Sequence, residues 1–272
     1  MKHKYRILFV FLCWTGLACA EDSTAIRFKA FPNQKLVGIF SADARAHRLG
    51  FTRNLDQQSY GVSMGNIFPI VNIFKGKFTA QLNAAGSTYI TLLRLNQAGS
   101  VLNSDYFSDI YVDISFQSPF ILRLGTGHSS QHLSDDAIIA GANYQNYAKD
   151  YHQVMGIYQN KKQHLTAYAG LFYNYNFKTS GDISHKQLWQ LGIMHYPFKN
   201  KKLAPIYYGA DIKFREELNF QHSFNLQIGY ALRNEYDHAI RLAANLSQGT
   251  DERGYFHPNM RNFAHIGIYF EY

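Results

Sequence analysis

Phe224-Asn225-Leu226-Gln227-Ile228-Gly229-Tyr230-Ala231-Leu232 alternates large apolar residues with polar or small ones. Successive side chains of a strand point to opposite faces. Phe224, Leu226, Ile228, Tyr230 and Leu232 therefore share one face, and Asn225, Gln227, Gly229 and Ala231 the other. The same period of two recurs nearby. In 239–247, Ile240, Leu242, Ala244 and Leu246 oppose Ala239, Arg241, Ala243, Asn245 and Ser247. In 204–214, Ile206, Tyr208, Ala210, Ile212 and Phe214 oppose Asp211 and Lys213, and Ile110, Val112 and Ile114 oppose Asp109, Tyr111, Asp113 and Ser115. Charges keep to one face throughout, which predicts antiparallel strands with one apolar face each.

A soluble sandwich alternates too, so the choice rests on the rest of the chain. It closes on Ile266-Gly267-Ile268-Tyr269-Phe270-Glu271-Tyr272, with Ile266, Ile268, Phe270 and Tyr272 on one face and an aromatic last residue. That ending is similar to the C-terminal signal of outer-membrane barrels. Aromatics make up 16% of the residues, with 20 Tyr and 21 Phe against 2 Trp and only 6 Pro. Mean hydropathy is nevertheless −0.27, and beyond residue 20 no stretch is apolar enough for a spanning helix. A closed barrel reconciles these facts. Its backbone polar groups pair around the sheet, each strand needs one apolar face, and aromatics gather at the two interfaces.

The beginning of the chain fits the same picture. Lys2, Lys4 and Arg6 precede the apolar run Ile7-Leu8-Phe9-Val10-Phe11-Leu12, and Ala18-Cys19-Ala20 precedes Glu21. This is the layout of a secretory signal peptide, residues 1–20, cleaved before Glu21. The run is shorter than the roughly 18–20 apolar residues of a membrane anchor. Lipid attachment at Cys19 is the minor alternative. Both cysteines, Cys13 and Cys19, leave with the peptide, and with them any disulfide or thiolate chemistry. Losing Lys2, Lys4 and Arg6 lowers the formal charge from +8 to +5. A basic exported chain suits anionic lipid head groups and lipopolysaccharide phosphates. Nucleic acid is the usual other reading of a high pI, but export argues against it, and no motif for it appears.

Connections alternate in length. Arg233–Asp237, Asn160–Gln163, Gln117–Pro119 and Ala84–Gly86 read as short turns, with an intermediate one at Phe198–Lys202. Longer connections are expected at 250–261, 216–222, 177–185, 131–148 and 96–104. Short periplasmic turns and long outer loops are the habit of bacterial barrels. Candidate strands are 59–69, 76–84, 87–95, 105–116, 120–130, 149–159, 164–176, 186–197, 203–215, 223–232, 238–249 and 262–272. The fold expected is an all-β, transmembrane antiparallel barrel of about twelve strands, roughly ten to fourteen. It occupies residues 59–272, and residues 21–58 form a plug, a periplasmic tail or extra strands.

The densest polar cluster is Gly125-Thr126-Gly127-His128-Ser129-Ser130-Gln131-His132-Leu133-Ser134-Asp135-Asp136. His128 and Ser130 share a strand face. A neutral imidazole can take the hydroxyl proton and make serine a nucleophile, with a third group orienting the ring. Asp135 is the candidate for that role, with Asp136 or His132 as substitutes. Thr126, His128 and Ser130 continue the parity of Phe120, Leu122 and Leu124, which places the pair on the outer wall near the membrane surface. His-x-Ser at a barrel rim resembles the arrangement in outer-membrane phospholipase A and in serine-dependent lipid A deacylases. The structural alternative is that His128, Ser130, His132, Asp135 and Asp136 pin the base of a loop. A metal site from His128, His132 and Asp135 is a third reading; no cofactor is expected. Asp109, Asp113, Arg123, Asp211, Lys213, Arg233 and Arg241 are expected to form ion pairs inside the barrel, or to line a pore.

The cluster also carries a wider resemblance. His128-x-Ser130-x-His132-Leu133-x-Asp135 resembles the H-Q-S-S-H-L-G-D signature of a bacterial outer-membrane/envelope family of unknown function. Asn103-Ser104-Asp105-Tyr106-Phe107, Tyr207-Tyr208-Gly209-Ala210-Asp211, Glu216-Glu217 and Gly249-Thr250-Asp251-Glu252-Arg253-Gly254-Tyr255-Phe256 extend it from about residue 45 onward. Ser134 stands where that family has Gly, Ser130 and Gln131 shuffle its serine pair, and Tyr255 replaces a Gln. The resemblance implies fold and location but no activity. The leading reading is thus an integral outer-membrane barrel whose molecular activity the sequence leaves open. Its partners are outer-membrane lipids, lipopolysaccharide and the barrel assembly machinery. A surface lipid ester hydrolase using His128 and Ser130 is the first rival, and a passive pore the second.

Overall fold

A computed structural model describes residues 25–55, 59–95, 98–139, 147–178, 187–197, 206–233, 239–252 and 260–271. The expected signal peptide, 1–20, and the terminal Tyr272 lie outside the described residues. Thirteen strands form one antiparallel sheet: β1 Arg27–Ala30, β2 Leu49–Asn54, β3 Ser59–Lys75, β4 Phe78–Leu95, β5 Ala98–Ser115, β6 Phe120–Leu133, β7 Tyr147–Asn160, β8 Leu165–Lys178, β9 Gln187–His195, β10 Ile206–Arg215, β11 Gln221–Arg233, β12 Ala239–Thr250 and β13 Met260–Glu271. From β3 to β13 each strand pairs with the next, and β2 pairs with both β13 and β3. Twelve strands, β2 to β13, therefore close a barrel. β1 joins the same edge of β3 lower down, Arg27 opposite Phe74 and Ala30 opposite Val71, whereas β2 takes Tyr60 to Ser63.

The burial pattern is inside out relative to a soluble protein. Phe120, Leu122, Leu124, Ile228, Tyr230, Leu232, Ile240, Leu242, Leu246 and Ile266 are exposed, while Asn225, Gln227, Arg241, Asn245, Arg123 and Asp113 are buried. The alternation of 224–232 and 239–247 is the cause, with the apolar face turned outward. In water such a continuous apolar surface would be costly, and in a bilayer it is the matching surface. Inward tyrosines fit against glycines of neighbouring strands. A Cβ on Gly192 would lie 2.1 Å from the Tyr168 ring, so only glycine lets that ring fold flat against the wall.

The strand total agrees with expectation, but through two errors that offset each other. Residues 76–84 and 87–95 are one strand, β4, and Ala84–Gly86 is not a turn. Nor is 96–104 a long loop, because β5 begins at Ala98. The small residues of Ala84–Gly86 imitate a turn signal. Ala85 is small because Ile39 and Ala46 pack against it from the lumen, together with Ile67 and Tyr111. The missing strand is β2, which places the barrel boundary before residue 59.

Between β1 and β2 the chain runs through the interior. Val37 and Phe40 pack with Ile121, Met155, Ile157 and Tyr168 from the wall, and the Phe40 and Tyr168 rings stack at 3.8 Å. Polar contacts reach around the barrel. The Leu36 N–H donates to Gln81 of β4 at 2.7 Å, and Gln190 of β9 and Lys213 of β10 both donate to Asp43. Arg48 lies over the ring of Tyr269 of β13. Residues 31–48 thus form a plug, and a cavity of about 90 Å³ remains between it and the wall.

Candidate functional site

Strand β6 divides its residues strictly by parity. Ile121, Arg123, Ser129 and Gln131 face the lumen and are buried. Thr126, His128, Ser130 and His132 continue the outward row of Phe120, Leu122 and Leu124. Register then supplies their neighbours. Ser130 sits opposite Tyr106 of β5, and His128 opposite Asp150 of β7. His128 Nδ1 lies 2.6 Å from Asp150 Oδ1, with the two side chains 45% and 28% exposed. A carboxylate only accepts, so this bond selects the tautomer with the proton on Nδ1 and leaves the Nε2 lone pair free. The other Asp150 oxygen accepts from Asn176 Nδ2 at 2.6 Å. Among the described residues the Ser130 hydroxyl makes no hydrogen bond. Residues two apart on a strand are separated by roughly 6.6 Å, a gap that side-chain rotation of a serine and a histidine can close.

The structure separates the other members of the cluster. Asp135 and Asp136 begin a short helix, α1 (Asp135–Ile139). Ser134 caps it, accepting from the Ala137 N–H at 3.1 Å, so the serine that departs from the resembled signature acts as an N-cap. His132 meets Tyr106 edge-on with centroids 5.8 Å apart. The carboxylate on His128 is therefore Asp150, not Asp135, Asp136 or His132. Chain proximity does not reveal Asp150, because cross-strand register brings it there. One signal was available. In Ala148, Asp150, His152 and Val154 an acid occupies the outward parity, where an apolar residue belongs. Nor are His128, His132 and Asp135 grouped as ligands: among the described residues no set of three or more His, Cys, Asp or Glu could hold a metal ion.

The interior charges are paired. Arg123 makes a two-bond contact with Asp113 at 2.7 and 2.9 Å, Lys213 reaches Asp211 at 2.9 Å, and Arg241 reaches Glu271 at 2.7 Å. The Arg233 side chain lies outside the described residues. The plug adds to the network. Lys213 also contacts Asp43 and Glu252, and Arg45 contacts Glu252. Burial would raise the Asp43 carboxyl, yet Lys213 beside it holds it at about 2. Glu252 is likewise held below the usual carboxylate range, because Lys213, Arg45 and Arg215 outweigh its burial. Charges that could have lined a pore instead hold the plug and the residues Asp251 and Glu252 that follow β12. A second Ser-His-Asp set belongs to this interior. His47 Nδ1 is 3.1 Å from Ser87 Oγ, and His47 Nε2 is 2.7 Å from Asp109 Oδ2.

No family model matches the chain, and no curated protein sequence does. Solved structures of similar fold exist. Outer membrane phospholipase A from Escherichia coli superposes with a TM-score of 0.56 at 11% identity, over 83% of this chain and 92% of that one. The outer membrane phospholipase of Salmonella typhi, a dimer with bound calcium, gives 0.54 at 12% identity, over 83% and 90%. An active-site asparagine-to-alanine mutant of the E. coli enzyme gives 0.55 at 14% identity, over 82% and 88%. At these identities the likeness is one of fold.

Proposed function

We propose that this protein is an integral outer-membrane barrel that hydrolyses ester bonds of membrane lipids at its outer wall. The observation that carries this reading is the His128–Asp150 contact on the same outward face as Ser130, whose hydroxyl has no partner among the described residues. A plugged lumen supports it against the pore, since the interior charges are spent on pairing. The similarity of fold to phospholipases of the outer membrane supports the location and the substrate class.

The chemistry follows from the residues. Ser130 Oγ attacks the ester carbonyl carbon while His128 Nε2 takes its proton, and Asp150 steadies the imidazolium that forms. The ester C–O bond breaks, and the leaving alcohol takes the proton back from His128. Water, activated by the same imidazole, then frees the fatty acid from Ser130. The pair lies toward the barrel end where β6, β8 and β12 finish, opposite the end where β13 finishes. In a barrel whose last strand ends in the periplasm, this is the outer leaflet, at the depth of the lipid ester groups. The test is release of fatty acid by purified, folded protein from vesicles of phospholipid and, separately, from lipopolysaccharide. Release from either supports the reading and names the substrate. No release from both, with the protein folded, removes it.

A further inference from the structure

The strand next to β7 contains an irregularity at the level of the site. Asp150 pairs with Asn176 and Tyr151 with Asn174, so Tyr175 is an extra residue in the β7–β8 ladder. In a regular strand Asn176 would share the face of Asn174, which is buried and lines the lumen cavity. The bulge changes this. Tyr175 is 48% exposed and stacks on the outward His152 with centroids 4.5 Å apart, and Asn176 is exposed as well. Two consecutive residues thus face outward, and the second reaches Asp150 Oδ2 at 2.6 Å. Bulges recur beside active sites because they re-aim a side chain at little cost to the rest of the ladder.

We infer that Asn176 is a positioning residue of the outer-wall site, turned outward by the bulge at Tyr175 so that it holds the Asp150 carboxylate toward His128. The inference rests on the hydrolase reading. Asp150 Oδ1 receives the His128 proton donor and Oδ2 receives the Asn176 amide, so the two bonds fix the carboxylate plane. Without the amide the carboxylate loses one of the bonds that hold its plane, and the acceptor that selects the His128 tautomer is less firmly placed. At the membrane surface, where water is partly excluded, such bonds to a charged group are strengthened. Asn176 touches no reacting atom in this arrangement, so its effect falls on turnover and not on lipid binding.

The experiment uses full-length protein folded in lipid vesicles and a fluorophosphonate that labels activated serines, with heat-modifiability as the control for folding. Wild-type protein is expected to be labelled at Ser130. Asn176→Ala is expected to slow labelling about tenfold to a hundredfold, the equivalent of losing a hydrogen bond to a charged group, with KM for lipid unchanged. Asn176→Asp is nearly isosteric but cannot donate and repels Asp150, so it is expected to be slower still, whereas a residue that only packs would tolerate it. Labelled wild type with both variants equally fast overturns the inference and leaves the hydrolase reading standing. No labelling of folded wild type at Ser130 overturns the hydrolase reading and the inference with it.

Discussion

Two Ser-His-Asp sets occur in this molecule, and they differ in every respect except composition. Ser87, His47 and Asp109 lie inside the barrel with both histidine nitrogens bonded, at 3.1 and 2.7 Å. The His47 and Asp109 side chains are each only 11% exposed, and Tyr151 and Gln153 also donate to Asp109. Ser130, His128 and Asp150 lie on the outer wall, with the serine unpartnered among the described residues and the histidine half exposed. By hydrogen-bond geometry alone the inner set is the better triad. It is nevertheless a structural joint, because it ties the plug to β4 and β5, and Ser87 is buried inside the barrel, away from the surface that meets lipid. On the proposed reading, access and a nucleophile able to move make the outer set the reactive one.

The sharpest way to break this comparison is to exchange the serines. Ser130→Ala is expected to lower lipid release by at least about a thousandfold, as removal of a triad nucleophile does, while Ser87→Ala leaves turnover within about twofold. The reverse outcome, read in the same release assay, would make the lumen the active site. Asp150→Ala comes next, with a loss of about a hundredfold to ten-thousandfold in kcat. Asp135→Ala is expected to leave kcat unchanged and instead to raise protease sensitivity after residue 134, because its place is the first turn of α1. A kcat for Asp135→Ala as low as that of Asp150→Ala would restore the loop carboxylate to the site.

Inside the barrel the effects are on stability. His47→Ala leaves Asp109 buried with one partner fewer, and is expected to cost about 1.5–3 kcal/mol, seen as a lower urea midpoint and faster proteolysis of 31–48. Acid sharpens the same contrast with the smallest effect near neutrality. Because the Asp43 carboxyl is depressed in the folded protein, from 3.8 to about 2, its pairing with Lys213 contributes fully above its unfolded value. That contribution is lost as pH falls through the folded one. Conductance across planar bilayers is therefore expected to stay closed from pH 8 to about 4 and to open only toward pH 2. Opening at pH 6 would mean that some other group holds the plug.

Much of the fold was legible because its cause is local. A barrel strand needs only a period of two, and Phe224 to Leu232 or Ala239 to Ser247 display that period without reference to anything distant. His128 and Ser130 were legible for the same reason, since residues two apart on one strand share a face wherever that strand goes. The plug was legible only as one of three alternatives for 21–58, because residues 31–48 carry no period: each side chain there answers to a different point on the wall, Phe40 to Tyr168, Asp43 to Lys213, His47 to Asp109. The false turn at Ala84–Gly86 has the same origin, in that Ala85 makes room for Ile39 and Ala46 of the plug.

What the sequence by itself determined, then, is the alternation, the apolar outer face and the dyad on it, all of which follow from which residues are two apart. What only the tertiary structure decided is which strand lies beside which and in what register. Register delivered Asp150 to His128 from 22 residues away, and one extra residue at Tyr175 turned Asn176 outward to meet it. Neither follows from local pattern, because ladder pairing depends on the summed fit of whole strands, and a shift of one residue sends every side chain to the opposite face.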